Sequence, residues 1–96
     1  MHDFGVKTID EFGKMVLHLE LRTKLRLSAG TEVTLFPVRN IVVLQKANEQ
    51  AKFTTMVDEL GRVTMPKELM EQMGWKQKNK ISIYYVDEHM LILHKS

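Results

Sequence analysis

The chain has 96 residues, 44% of them hydrophobic, which suits one soluble globular domain spanning residues 1–96. It has no cysteine, so disulfides and thiolate metal sites are excluded, and its net charge of +2 is only mildly basic. The opening MHDFGVKTID carries charges where a signal peptide needs an apolar stretch, and apolar runs elsewhere are short, so the expectation is a cytoplasmic protein that does not span a membrane.

In chain order, Thr8 to Asp10 reads as a short strand, followed by a tight turn, Glu11-Phe12-Gly13-Lys14, where Gly13 allows a positive φ. Met15-Val16-Leu17 resumes the strand. A short helix comes next, with Leu17, Leu21 and Leu25 at i, i+4 and i+8 giving it one apolar face. No glycine follows that could close this helix until Gly30. Strands Glu32 to Phe36 and Asn40 to Gln45 end the first half, joined by a hairpin turn at Val38-Arg39-Asn40. Pro37 cannot donate to a sheet, which puts it at an edge or a strand end.

A polar segment, residues 47–54, links this to a second series of the same kind. Met56 to Asp58 is a strand, Glu59-Leu60-Gly61-Arg62 a turn and Val63-Thr64-Met65 a strand. The helix that follows has Pro66 suited to its first turn, Glu68 near its positive end, Met65, Leu69 and Met73 on one face, and Gly74 to close it. Strands Lys80 to Tyr85 and Met90 to His94 flank a turn at Asp87-Glu88-His89.

The two series are related. A shift of 48 positions lays Ile9–Val38 over Val57–Val86 without a gap, with six identities in thirty, among them Asp10, Glu11 and Gly13 over Asp58, Glu59 and Gly61. One inserted residue near His89 then brings Ile41–Leu44 over Met90–Leu93. The chain thus reads as repeat 7–46 and repeat 55–95. One unit of about forty residues is too small to enclose a core unaided, so the two are expected to pair within the chain about a pseudo-two-fold axis.

Val57-Asp58-Glu59-Leu60-Gly61-Arg62-Val63-Thr64-Met65-Pro66-Lys67-Glu68-Leu69, followed by Met73-Gly74, resembles the AbrB/SpoVT/MazE family of swapped-hairpin DNA-binding domains. Residues 7–46 match more loosely, with Lys14 for the turn arginine and His18 for the proline. The resemblance implies a mostly β fold with short helices (α+β), in which two units interleave their hairpins into one small barrel. It also implies transcriptional regulation in a bacterial cytoplasm, or antitoxin duty.

In that family the first strand, the glycine turn and the start of the helix form the DNA surface. Carried over, this implies contacts from Lys7, Lys14, Arg22, nearby Lys24, and Arg62, with double-stranded DNA as the partner. The second repeat has Thr55, Met70 and Glu71 at the other corresponding places, so the first repeat is expected to make most contacts. Charge agrees: residues 1–48 hold seven Lys/Arg against five acids, and residues 49–96 seven against seven. The same lysines also read as ordinary solvated charge, and Arg62 as a structural partner of Asp58 or Glu59. The alternative function is a protein-interaction module that kept the fold and lost DNA binding, with the second repeat as partner face. A homodimer of chains would supply a true two-fold for a palindromic target.

Other chemistry has little support. His2, His18, His89 and His94 lack ligand spacing, the five glycines are scattered, and Ser28 and Ser82 have no recognisable base. The expectation is no enzyme, no cofactor, no metal and no small-molecule substrate. Met70, Trp75, Tyr84 and Tyr85 read either as core or as an apolar patch on the second repeat.

Overall fold

The computed structural model describes residues 2–46 and 50–96. The strands are β1 (His2–Thr8), β2 (Lys14–Val16), β3 (Glu32–Val38), β4 (Ile41–Lys46), β5 (Phe53–Met56), β6 (Arg62–Thr64), β7 (Lys80–Asp87) and β8 (Met90–Lys95), with helices α1 (Leu19–Leu25) and α2 (Lys67–Met73). β1, β7, β8, β4, β3 and β5 form one antiparallel sheet in that order, and β2 pairs with β6 in a second.

The order of strands crosses the halves of the chain. β1 lies beside β7, with Lys7 opposite Ile81, and β5 lies beside β3, with Thr55 opposite Val33. The two hairpins, β3–β4 and β7–β8, join through β4 and β8, where Val43 stands opposite Ile92. In the smaller sheet Met15 stands opposite Val63. Both are residues that the alignment of the two halves superimposes.

The core is built equally from both sides. Ile9, Leu17, Leu21, Leu35 and Leu44 are buried in one cluster with Val63, Leu69, Ile83, Leu91 and Leu93. Every one of these side chains is fully removed from water. At roughly 1.5–3 kcal/mol for each large apolar side chain buried, this shared interior is the main source of stability.

Several boundaries differ from the sequence expectation. The first strand ends at Thr8, and Asp10 belongs to the turn. The strand expected at Met56 to Asp58 is β5, so Phe53 and Thr54 are strand residues and not linker. Residues 47–49 of the expected linker lie outside the described residues. β1 and β5 lack strict alternation of apolar residues, and each is held by a partner from the other half, which local pattern does not register. β1 also carries a bulge between Asp3 and Val6, with Gly5 at φ 81°.

α1 closes earlier than expected, at Arg26, which takes the left-handed conformation at φ 57°. Leu25 and Leu27 are both buried, so the chain must reverse between them whatever residue stands there. The Leu27 N–H reaches Arg22 O at 2.7 Å, just as the Trp75 N–H reaches Met70 O at 2.8 Å behind Gly74. At the other end His18 caps α1, its Nδ1 accepting the Glu20 N–H at 3.2 Å. Pro66 stands one place before α2, as its N-cap. Pro37 is inside β3 but beyond the stretch paired with β5, so no ladder bond is lost on that side.

Candidate nucleic-acid interface

The two glycine turns have one construction. In the first, Asp10 Oδ1 accepts from the Phe12 N–H at 2.8 Å and the Lys14 N–H at 2.9 Å. In the second, Asp58 Oδ1 accepts from the Leu60 N–H at 2.9 Å and the Arg62 N–H at 2.8 Å. The Gly13 and Gly61 amides bond back to the aspartate carbonyls at 3.0 Å, with both glycines at φ 76°. An aspartate that accepts from the turn it begins, and a glycine free to go left-handed, are what this reversal requires.

Pairing of β2 with β6 sets the turns side by side. Lys14 is opposite Thr64, and Val16 is opposite Arg62. The Leu17 N–H donates to Gly61 O at 2.9 Å, and the Met65 N–H to Gly13 O at 2.8 Å, so each strand end is tied to the opposite turn.

The cations then gather unevenly. Arg62 Nε donates to Asp58 Oδ2 at 2.8 Å, and Lys14 Nζ approaches the same oxygen to 3.9 Å from the other half of the chain. Arg22 Nε donates to Leu17 O at 3.0 Å, and its guanidinium lies against Gly61. Lys14, Arg22 and Arg62 therefore surround the second turn, all three half-buried along their stems. The Arg62 N–H bond, followed by the Arg62 guanidinium, holds the Asp58 carboxyl below its ordinary range, and the Lys14 N–H does the same for Asp10.

The two other expected contacts, Lys7 and Lys24, form no ion pair with Asp58, and neither is among the nearest neighbours of Gly61. Lys24 points across α1 to the ring of Tyr85, 5.3 Å from its centroid, where Phe4 also packs edge-on to Tyr85 and to His18. Lys7 stands half-buried on the edge strand, opposite Ile81. The reach of Lys14 across to Asp58 has no signal in the sequence, because it depends on the pairing of two strands 48 residues apart.

Beside the first turn the equivalent of Arg22 is Met70, whose Sδ would come 3.8 Å from a Cβ on Gly13. Here the surface is an open cleft of about 540 Å³ lined by Phe12, Met65, Met70 and Trp75, with Glu11, Lys67, Glu71 and Lys76 around it. Trp75 is buried, and Phe12 is 70% exposed. Tyr85 belongs to the Lys24 side, so the apolar residues suggested by sequence do not form one patch. Phe12, from the first half, was missed; its exposure follows from the turn's geometry.

Residues 54–96 match the family model described as "Antidote-toxin recognition MazE, bacterial antitoxin". Among solved structures, the fold is similar to that in the solution structure of PHS018 from Pyrococcus horikoshii, with a TM-score of 0.53 at 19% identity over 100% of this chain and 92% of that one. No curated protein matches the sequence.

Proposed function

We propose that this chain, whose residues 54–96 match the MazE antitoxin family model, is a DNA-binding regulator that grips duplex backbone with Lys14, Arg22 and Arg62. The observation that supports this is the convergence of those three cations on one turn, from both halves of the chain. Arg22 comes from the first half and the glycine it covers from the second, so the surface is composite and not the property of one repeat. On this reading the chain is a single domain of repeats 7–46 and 55–95, non-enzymatic and cytoplasmic, and two chains together address a palindrome. Lys7 and Lys24 add outlying contacts at most.

Three phosphate contacts give a slope of log K against log salt of about −2.7, with sequence supplied by groove shape as much as by base edges. The test is a titration of AT-rich duplex fragments across a salt series, with Lys14→Ala/Arg22→Ala beside the unaltered chain. Salt-sensitive binding that drops in the variant supports the regulator. Absence of binding at about 50 mM salt, where phosphate contacts are strongest, sinks it.

A second reading has its own support in the Phe12–Met70–Trp75 cleft, which breaks the equivalence of the two turns and suits an apolar anchor from a partner protein. That reading takes over if duplex DNA fails to bind.

A further inference from the structure

We infer that Asp58 is a specificity-determining residue of the basic surface: its carboxylate stands where a phosphate would, between Arg62 and Lys14, and only a densely charged polyanion displaces it. The inference builds on the reading of this surface as a nucleic-acid interface, and it names what the surface selects.

The two oxygens of the Asp58 carboxylate divide the labour. Asp58 Oδ1 serves the turn, taking the Leu60 and Arg62 backbone N–H groups. Oδ2 serves the cations, taking Arg62 Nε at 2.8 Å and facing Lys14 Nζ at 3.9 Å. Asp10 does the first job in the same geometry, accepting from Phe12 and Lys14 amides. Among the described residues no ion pair within 4.0 Å includes Asp10. Asp10 stands near enough to Arg62 and Lys14 to feel both charges, so the two aspartates are equal as turn builders and differ in that only Asp58 pairs with the cations directly.

A lone small anion at this place only replaces the Asp58 carboxylate as partner of Arg62 and Lys14, and gains little. A duplex backbone presents several phosphates together, reaches Arg22 beside Gly61 as well, and releases its own condensed counter-ions. The internal carboxylate thus sets a threshold that separates dense polyanions from single ones. It also keeps the guanidinium of Arg62 oriented before any partner arrives.

The experiment compares the unaltered chain with Asp58→Asn, Asp10→Asn, Arg62→Gln and Asp58→Asn/Arg62→Gln, by elution from heparin–agarose, by duplex titration at fixed salt and by titration with inorganic phosphate. The ratio of duplex to phosphate affinity should fall in Asp58→Asn, and an unchanged ratio would overturn the selectivity. Asparagine keeps an Oδ1 for both backbone N–H groups, and a cooperative melt well above the assay temperature verifies that each variant is folded, although the loss of the ionised carboxylate lowers its midpoint. Asp58→Asn is expected to bind up to about fivefold tighter, the upper end of the range set by loss of one partly exposed ion pair. Asp10→Asn makes the same change in net charge and should gain clearly less. In the Arg62→Gln background the gain from Asp58→Asn should shrink, because its main partner is gone.

Equal gains from the two asparagine variants on heparin would reduce the effect to net charge and overturn the inference. So would a gain of full size in the Arg62→Gln background. Failure of every protein to bind duplex, with Asp58→Asn still eluting later from heparin, would sink the regulator and leave the counter-ion role of Asp58 standing.

Discussion

The guanidinium of Arg22 closes over Gly61 so tightly that a Cβ on that glycine would stand 2.5 Å from the arginine Cζ. The same position in the first turn, Gly13, has only Met65 O at 3.7 Å and Met70 Sδ at 3.8 Å. One helix of each half thus packs on the turn of the other, with different chemistry at the two places.

This asymmetry predicts unequal costs for one substitution. Gly13→Ala forces alanine to φ 76° and should destabilise by about 1–2 kcal/mol through backbone strain alone. Gly61→Ala carries the same strain and must also push the Arg22 side chain aside. Urea denaturation should place Gly61→Ala below Gly13→Ala, and in an Arg22→Met background the two should converge. Equal midpoints in the native background would mean that Arg22 gives way freely.

Arg26 offers a change in the opposite direction. It ends α1 in the left-handed region, which costs a non-glycine residue roughly 1–2 kcal/mol. Glycine removes that strain but loses about 0.5–1 kcal/mol in chain entropy on folding. Arg26→Gly should therefore raise stability by up to about 1.5 kcal/mol, read as a higher melting temperature. A fall would show that the arginine side chain makes a contribution larger than its strain.

Acid should loosen the molecule through its two turns. Asp10 and Asp58 both titrate below the ordinary aspartate value of 3.8 in the folded chain, because backbone N–H groups favour the ionised form. As pH falls, the unfolded chain takes up these protons first. The stabilisation is complete above that ordinary value and is lost as pH falls through the lower, folded-state values. Melting temperature should decline below about pH 4, and the Asp10→Asn/Asp58→Asn chain should decline less over the same window. A parallel decline would assign acid sensitivity to other carboxylates.

The local devices are legible in the residues alone. Asp10 with Gly13, Asp58 with Gly61, the leucine face of α1, Gly74 behind α2 and the hairpin turns at Arg39 and Glu88 all work through neighbours a few residues away, so their signals are written in short stretches. The family pattern around residues 57–74 lies in such a stretch as well, inside the segment that matches the MazE model. Edge strands β1 and β5 were misplaced by a few residues, since each depends on a ladder partner from the other half of the chain. Which cations meet depends on contacts between distant parts of the chain. Pairing β2 with β6 carries Lys14 to Asp58, and packing α1 on the second turn carries Arg22 to Gly61, while Lys24 on the same helix goes to Tyr85. The reason is geometric: charge is set residue by residue, but a charged surface exists only after strands 48 residues apart have been laid side by side.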